Sequence, residues 1–249
     1  MKTLIQLVTI SLIVLAFSYQ SKAQGIDKYQ HQSVINSFDS ESAMPKLLNL
    51  NERVQAVAVS GNHIYIGGRF ARVDGNDSSN YIAFWNGEQW RPLGTGLNNQ
   101  VLAIAVKGDT VYAGGRFTQA GGDPNANYIA MWDGLQWKAV GAGLGADLAN
   151  ISKLVVVGND LYAGGLFSNM GGNASARNIA RFDGTTWHGL KNGIDAFGSG
   201  VTIAPYKNGV LVGGEYASID GNTELSRIAY WNGEDWESFG NGVNSLVKA

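Results

Sequence analysis

The chain of 249 residues contains no cysteine. That excludes disulfides, thiolate metal sites and a cysteine nucleophile. It also excludes a lipoprotein anchor, which needs a cysteine at its cleavage site. A small exported eukaryotic domain usually carries disulfides, so an exported chain without them points to a bacterial source. Histidine is scarce: His31, His63 and His188 share no ligand spacing, so no zinc site is expected. Charge is thin and balanced, with 18 Lys and Arg against 20 Asp and Glu and no basic run. Nucleic-acid and anionic-membrane binding need a positive footprint and are disfavoured. Beyond the N-terminus every apolar run is cut by Gly or Asn before it reaches membrane length.

The first 23 residues are set apart. Lys2 precedes the apolar stretch Leu4 to Phe17, and Ser21-Lys22-Ala23 offers small residues for cleavage after Ala23. This reads as a secretory signal peptide (1–23), so the mature chain is expected outside the cytoplasm, with no membrane span. Loss of Lys2 and Lys22 leaves 16 basic residues against 20 acidic ones. Residues 24–49 match nothing later in the chain and are expected to be a linker or a segment that closes the fold.

What the chain has in excess is glycine, 34 residues, about twice ordinary usage. The excess is placed at fixed intervals. Glycine pairs fall at Gly67-Gly68, Gly114-Gly115, Gly164-Gly165 and Gly213-Gly214, and tryptophans close each unit at Trp90, Trp137, Trp187 and Trp236. Both series step by 47, 50 and 49 residues. A period this long means one supersecondary unit repeated. The copies run over about 50–96, 97–143, 144–193 and 194–242, and 243–249 matches the start of a fifth. Gly96 to Val101 aligns with Gly242 to Val247, which fits either a ring of four units or part of a longer array.

Within the first copy, Val54 to Val59, His63 to Phe70, Tyr81 to Trp85 and Gln89 to Leu93 read as four strands. Gly61-Asn62 and Asn86-Gly87 supply tight turns, and Ala71 to Asn80 a longer polar loop. Gly108-Asp109, Gly158-Asn159 and Asn208-Gly209 are expected in the first turn of the other copies. Asp133-Gly134, Asp183-Gly184 and Asn232-Gly233 are expected in the second. No stretch has a helical period. Small four-stranded antiparallel sheets at this spacing are propeller blades, which must stack to bury both faces. The expected fold is all-β, a propeller of four-stranded antiparallel blades, four-bladed or part of a larger ring. Pro92 falls in a fourth strand and Pro205 in a first, the two edges of such a blade. Three aromatic columns (Phe70, Phe117, Phe167, Tyr216; Trp85, Trp132, Phe182, Trp231; and the closing tryptophans) are expected to pack between blades. Gly75, Gly122, Gly172 and Gly221 are expected to hold positive φ in the polar loop.

The glycine pair ending a second strand and the tryptophan on the fourth resemble the kelch-type, galactose-oxidase-type propeller repeat. The pattern Y-x-G-G-x-F…I-A-x-W-D-G-x-x-W, as in Tyr112 to Phe117 and Ile129 to Trp137, is more similar still to the repeat of secreted bacterial propellers. It is also similar to the extracellular propeller of a fungal cortical polarity marker. The chain departs from kelch proper in the short Asn-Gly or Asp-Gly link before the closing tryptophan. The oxidase chemistry of the resemblance requires a cysteine that the chain lacks.

No nucleophile elbow, phosphate loop or dinucleotide fingerprint is present. Asp183 to Trp187 is one residue short of a sialidase Asp-box and reads as an ordinary hairpin. Asp74 to Ser78 and Gly122 to Asn125 are rich in oxygen but lack the alternating carboxylates of a calcium loop. No cofactor or metal is expected. The copies differ in length only after the closing tryptophan, in the connection that shares a face with the polar loops. Binding residues concentrate in such loops on a rigid scaffold. The candidate binding residues are therefore Asp147, Asn150, Asp195 and Phe197, then Asp74, Asp77, Asp123, Arg177 and Arg227. Arg69 and Arg116 are weaker, because Leu166 and Glu215 replace them. The leading expectation is a secreted or surface-exposed, non-catalytic propeller that binds a protein or glycan through this face. The alternatives are a carbohydrate-active hydrolase or lyase using carboxylates such as Asp74, Asp123 and Asp220, and a structural module of a longer adhesin-like protein.

Overall fold

The computed structural model describes residues 52–73, 79–144, 149–225 and 227–240, with backbone only for 196–200. Among the described residues sixteen strands form four sheets. Sheet 1 holds β1 (Val54–Ser60), β2 (His63–Gly68), β3 (Ile82–Trp85) and β4 (Trp90–Pro92). Sheet 2 holds β5 (Val101–Lys107), β6 (Thr110–Gly115), β7 (Ile129–Trp132) and β8 (Trp137–Ala139). Sheet 3 holds β9 (Asn150–Val157), β10 (Asp160–Leu166), β11 (Ile179–Phe182) and β12 (Trp187–Gly189). Sheet 4 holds β13 (Ile194–Tyr206), β14 (Gly209–Ile219), β15 (Ile228–Trp231) and β16 (Trp236–Ser238). Each sheet is an antiparallel meander with its strands in chain order. The fold is all-β and propeller-like, with four blades. Pro92 lies on β4 and Pro205 on β13, both edge strands.

The sheets stack in sequence. First strands touch as β1 with β5, β5 with β9, and β9 with β13. Each sheet thus has a leading face toward its predecessor and a trailing face toward its successor. Three apolar clusters fill the interfaces. Ala56, Ala58, Ile82 and Leu93 of sheet 1 meet Val101, Ile104, Phe117 and Trp137 of sheet 2. Tyr112, Ile129 and Val140 meet Ile151, Phe167, Met170 and Trp187. Tyr162, Ile179 and Leu190 meet Val201, Val210, Tyr216 and Trp231.

The two glycines of each pair have different physical reasons. A Cβ on Gly114 would lie 2.6 Å from the Ile151 side chain of the next sheet, and one on Gly67 2.5 Å from Val101. The first glycine therefore lets the next sheet approach. A Cβ on Gly68, Gly115 or Gly165 would overlap the backbone carbonyl of Arg53, Gln100 or Asn150 in its own sheet. The second glycine makes room for the start of the first strand. In sheets 1 to 3 that strand bulges by one residue against the pair, skipping Gln55, Leu102 and Ser152.

The tryptophan columns behave as interface packing. Each closing indole packs tilted or edge-on against the third-strand aromatic, with centroids 5.1 to 5.8 Å apart. In sheets 2 to 4 its N–H reaches into the preceding sheet: Trp137 Nε1 donates to the Leu93 carbonyl at 2.9 Å, Trp187 to Val140 at 2.9 Å and Trp236 to Leu190 at 3.2 Å. A buried indole N–H needs such an acceptor.

Two turn expectations are corrected. In sheet 4 the first hairpin turns at Lys207-Asn208, since Tyr206 pairs with Gly209, and Gly209 is already in β14. Lys207 takes the left-handed φ of 51° that Gly61, Gly108 and Gly158 take elsewhere. The second link is a four-residue loop, Asn86 to Gln89 between Trp85 and Trp90, rather than a two-residue turn. Its first side chain caps it: the Asn86 Oδ1 accepts the N–H groups of Glu88 and Gln89. Asp133, Asp183 and Asn232 do the same in their sheets. Asp183-Gly184 is therefore an ordinary member of this series. Gly122, Gly172 and Gly221 have φ of 86°, 78° and 77°, as expected, while Gly75 lies outside the described residues.

Two outcomes follow for stability. Gly115→Ala should cost about 3 kcal/mol, because its clash is with backbone. Gly108→Ala has nothing within 4 Å and should cost only the left-handed penalty of about 1–2 kcal/mol. Urea midpoints at constant m-value would check the order. The Lys138 ammonium and two loop N–H groups hold the Asp133 carboxyl below its usual range, and loop N–H groups with His188 do the same for Asp183. A depressed carboxyl stabilises the fold above its unfolded pKa and loses that contribution as pH falls through the folded value. Asp133→Asn with Asp183→Asn should therefore flatten the loss of stability below about pH 4. The caps themselves should survive, since Asn fills that place in sheets 1 and 4.

Candidate functional site

The meander sends the β2–β3 type loops and the sheet-to-sheet connections to one end of the array, and the two short hairpins of each sheet to the other. Backbone bonds stitch the loop end together: Gly121 N–H donates to Gly96 O at 2.9 Å, Gly171 to Gly143 at 2.8 Å and Asp220 to Gly193 at 3.0 Å. Asn98 bridges the first junction, its Oδ1 accepting the N–H groups of Thr118 and Gln119 and its Nδ2 donating to Thr118 Oγ1.

At this junction lies an open cleft of about 320 Å³, lined by Asn80, Tyr81, Thr95, Asn98 and Gln119 with Gly96, Leu97 and Gly122. Among the described residues no charged side chain lines it. Asn80 Nδ2 donates to the Thr95 carbonyl at 3.0 Å, which ties its two walls. Tyr81 takes a left-handed φ of 65°. Its carbonyl accepts from Gly68 N–H, and its own N–H donates to Phe70 O. Tyr128, Asn178 and Arg227 hold the same conformation at the same place, with φ of 57°, 59° and 69°. A bulky residue in this region is uncommon and stays there only when its surroundings fix it. The matching backbone bonds to Gly115, Gly165 and Gly214 fix these three.

The candidates named from sequence are dispersed over this end. Arg177 and Asp195 are brought together as an ion pair, and Asp195 Oδ2 also accepts from Ser218 Oγ at 2.6 Å. Both side chains are about two-fifths exposed, so screening leaves the pair little worth for stability. Asp123 caps its own loop by accepting from Asn125 N–H. Asp220 accepts from the Asn192 backbone and side chain. Arg227 is half-buried. Asn150 is buried at the start of β9, with its side-chain oxygen unpartnered among the described residues. That corrects its placement as an open loop contact: the chain is already in a strand there. Asp74, Asp77 and Asp147 lie outside the described residues, and Phe197 has only its backbone described. Phe197 belongs to an irregular part of β13, between the pairings of Ala196 and Val201, rather than to a loop. Arg69, Arg116, Leu166 and Glu215 are all exposed.

The cleft residues Asn80, Tyr81, Thr95 and Gln119 were not among the candidates. The signal available for Tyr81 was the divergence Tyr, Tyr, Asn, Arg at one repeat position. Among the described residues no three His, Asp or Glu side chains converge as a metal site, and no helix is long and apolar enough to cross a membrane.

No family model matches the chain, and no curated protein does. Two solved structures of computationally designed proteins are similar to it. The Ika4 protein is 19% identical, with a TM-score of 0.46, over 75% of this chain and 94% of that one. The Ika8 protein is 18% identical, with a TM-score of 0.42, over 76% of this chain and 49% of that one, so the chain spans about half of Ika8.

Beside the cleft, Ser79 is buried with its hydroxyl unpartnered among the described residues. The equivalent places hold Ala126, Ala176 and Leu225. Ser79→Ala should raise stability by about 1 kcal/mol, by removing an unsatisfied buried hydroxyl. Thermal or urea unfolding would read the gain.

Proposed function

We propose that this chain is an exported or surface-exposed propeller of the kelch-like, galactose-oxidase-related repeat type, and that it binds a neutral glycan at its loop end without transforming it. The observation that carries this reading is the lining of the cleft between sheets 1 and 2. Among the described residues, amides, a hydroxyl and one tyrosine surround it, and no carboxylate or cation does. Uncharged sugars are recognised by such groups: planar amides bond paired hydroxyls, and an aromatic ring covers the apolar face of the sugar. The left-handed backbone holds Tyr81 in place before any ligand arrives, which lowers the ordering cost of binding.

The carboxylates described at the loop end favour binding over hydrolysis. Asp123 and Asp220 each accept bonds from their own loop or its neighbour, the work of turn caps. A protein ligand would engage the wider surface, including the Arg177–Asp195 pair.

A glycan array run beside a glycosidase panel, on exported protein beginning at Gln24, would test the reading. Binding to uncharged glycans is expected. Gln119→Ala and Tyr81→Ala should each weaken it at least about tenfold, or about 1.4 kcal/mol, with Gln119→Ala leaving the melting temperature unchanged. Turnover of any glycan, or binding indifferent to both substitutions, would overturn the proposal.

A further inference from the structure

One position of the repeat is cationic in two copies and not in the others. The residue after the glycine pair is Arg69 in sheet 1 and Arg116 in sheet 2, but Leu166 in sheet 3 and Glu215 in sheet 4, and all four are exposed. Arg53 joins the first two. Its carbonyl accepts the Arg69 N–H at 3.0 Å, next to the pairing of Val54 with Gly68. The two arginines therefore stand directly opposite each other on neighbouring strands. The matching carbonyl in sheet 2 is that of Gln100, which accepts from Arg116 N–H at 3.0 Å. Strands β1 and β5 pack together, so Arg53, Arg69 and Arg116 share the loop-end tips of two adjoining sheets.

These cations are uncompensated. None of the ion pairs among the described residues includes them, and Glu52, the neighbour of Arg53, pairs with none of the three. Elsewhere Arg177 and Arg181 have carboxylate partners in Asp195 and Asp160. Like charges directly opposite on a sheet are destabilising, so Arg53 and Arg69 form a pair that an anion would relieve. The charged position also adjoins the cleft. Arg69 lies between Gly68 and Phe70, the two residues whose backbone bonds hold Tyr81. Arg116 lies two residues before Thr118, whose N–H and hydroxyl both bond Asn98.

We propose that the uncharged sugar bound in the cleft belongs to an acidic glycan, and that a carboxylate or sulfate on its adjoining unit is held by Arg69 and Arg116 with Arg53 beside them. The inference rests on the glycan-binding reading of the cleft and extends it to the charge of the ligand. A guanidinium presents paired, planar N–H donors that match two oxygens of such a group. A bound anion also removes the repulsion between Arg53 and Arg69. Glu215, at the same position in sheet 4, repels an anion there and so favours one orientation of the glycan.

An array of oligosaccharides matched in backbone, carrying no charge, one carboxylate or one sulfate, tests this with the exported protein. At least one acidic series should bind about tenfold more tightly than its neutral parent at low salt. The preference should shrink in about 1 M salt, where exposed charges are screened within about 3 Å. Arg69→Gln with Arg116→Gln should abolish it while leaving the affinity for the neutral parent unchanged. The melting temperature of that variant should equal or exceed the parent's, because repulsion from Arg53 is relieved. The favoured series identifies which anion the arginines take. Neutral parents bound with no acidic preference, or a preference that survives the double substitution, would overturn the inference and leave the reading of the cleft standing. Binding of no glycan, or tighter capture of poly-glutamate than of any glycan, would overturn both.

Discussion

The packing of each first strand onto the glycine pair of the preceding sheet sets the spacing of everything else. A side chain at Gly67, Gly114 or Gly164 would hold the sheets apart and open the interface clusters. Two glycines within a strand cost about 1–2 kcal/mol against alanine. Burying one large aliphatic or aromatic side chain gains about 1.5–3 kcal/mol, and each interface buries several, such as Ile151, Phe167 and Trp187 between sheets 2 and 3. The exchange favours glycine wherever a neighbouring sheet is present. The same balance makes the repeat dependent on stacking, since a lone sheet would bear the cost of its glycines without the gain.

The closing tryptophan adds direction to that packing. Phenylalanine in its place would fill similar space but give no hydrogen bond to the preceding sheet. The indole N–H selects one carbonyl, at Leu93, Val140 or Leu190, and so sets how far each sheet slides over its predecessor. A buried N–H without an acceptor costs about 1–3 kcal/mol, so the bond penalises every other register. The backbone bonds between G-x-G connections and neighbouring loops, such as Gly121 N–H to Gly96 O, fix the loop end by the same means.

These constraints decide what could be read before coordinates. Strand number, sheet order, the edge positions of Pro92 and Pro205 and the packing of the aromatic columns between sheets all follow from features with a strict steric or hydrogen-bonding need. The turn of sheet 4 was misplaced because Asn208-Gly209 has favoured turn chemistry. Register decided instead: the pairing of Val210 with Trp231 and Tyr206 with Gly209 puts Lys207 in the left-handed position. The extension of β13 back to Ile194 was hidden by glycines at 198 and 200, which read as loop. The site was less legible than the fold. Candidates were chosen by charge and loop length, whereas the described lining of the cleft is uncharged and comes from two repeats, Asn80 and Tyr81 from one and Gln119 from the next. Sequence spacing within a single repeat does not display such a juxtaposition.

That juxtaposition bears on how a repeat acquires specificity. The residue before each third strand has one backbone conformation in all four sheets, fixed by the bond from the second glycine of the pair. Its side chain is Tyr81, Tyr128, Asn178 or Arg227, so chemistry varies there while geometry does not. Asn178 shows one use of the position: its side chain accepts from Phe167 N–H and donates to the Ile194 carbonyl, closing the third junction internally. At the first junction that bridging falls to Asn80 and Asn98, which leaves Tyr81 in the wall of an open cleft. The same site therefore serves as a structural tie between sheets 3 and 4 and, in the proposed function, as a recognition surface between sheets 1 and 2. Which role it takes depends on whether neighbouring amides already satisfy the backbone groups of the junction.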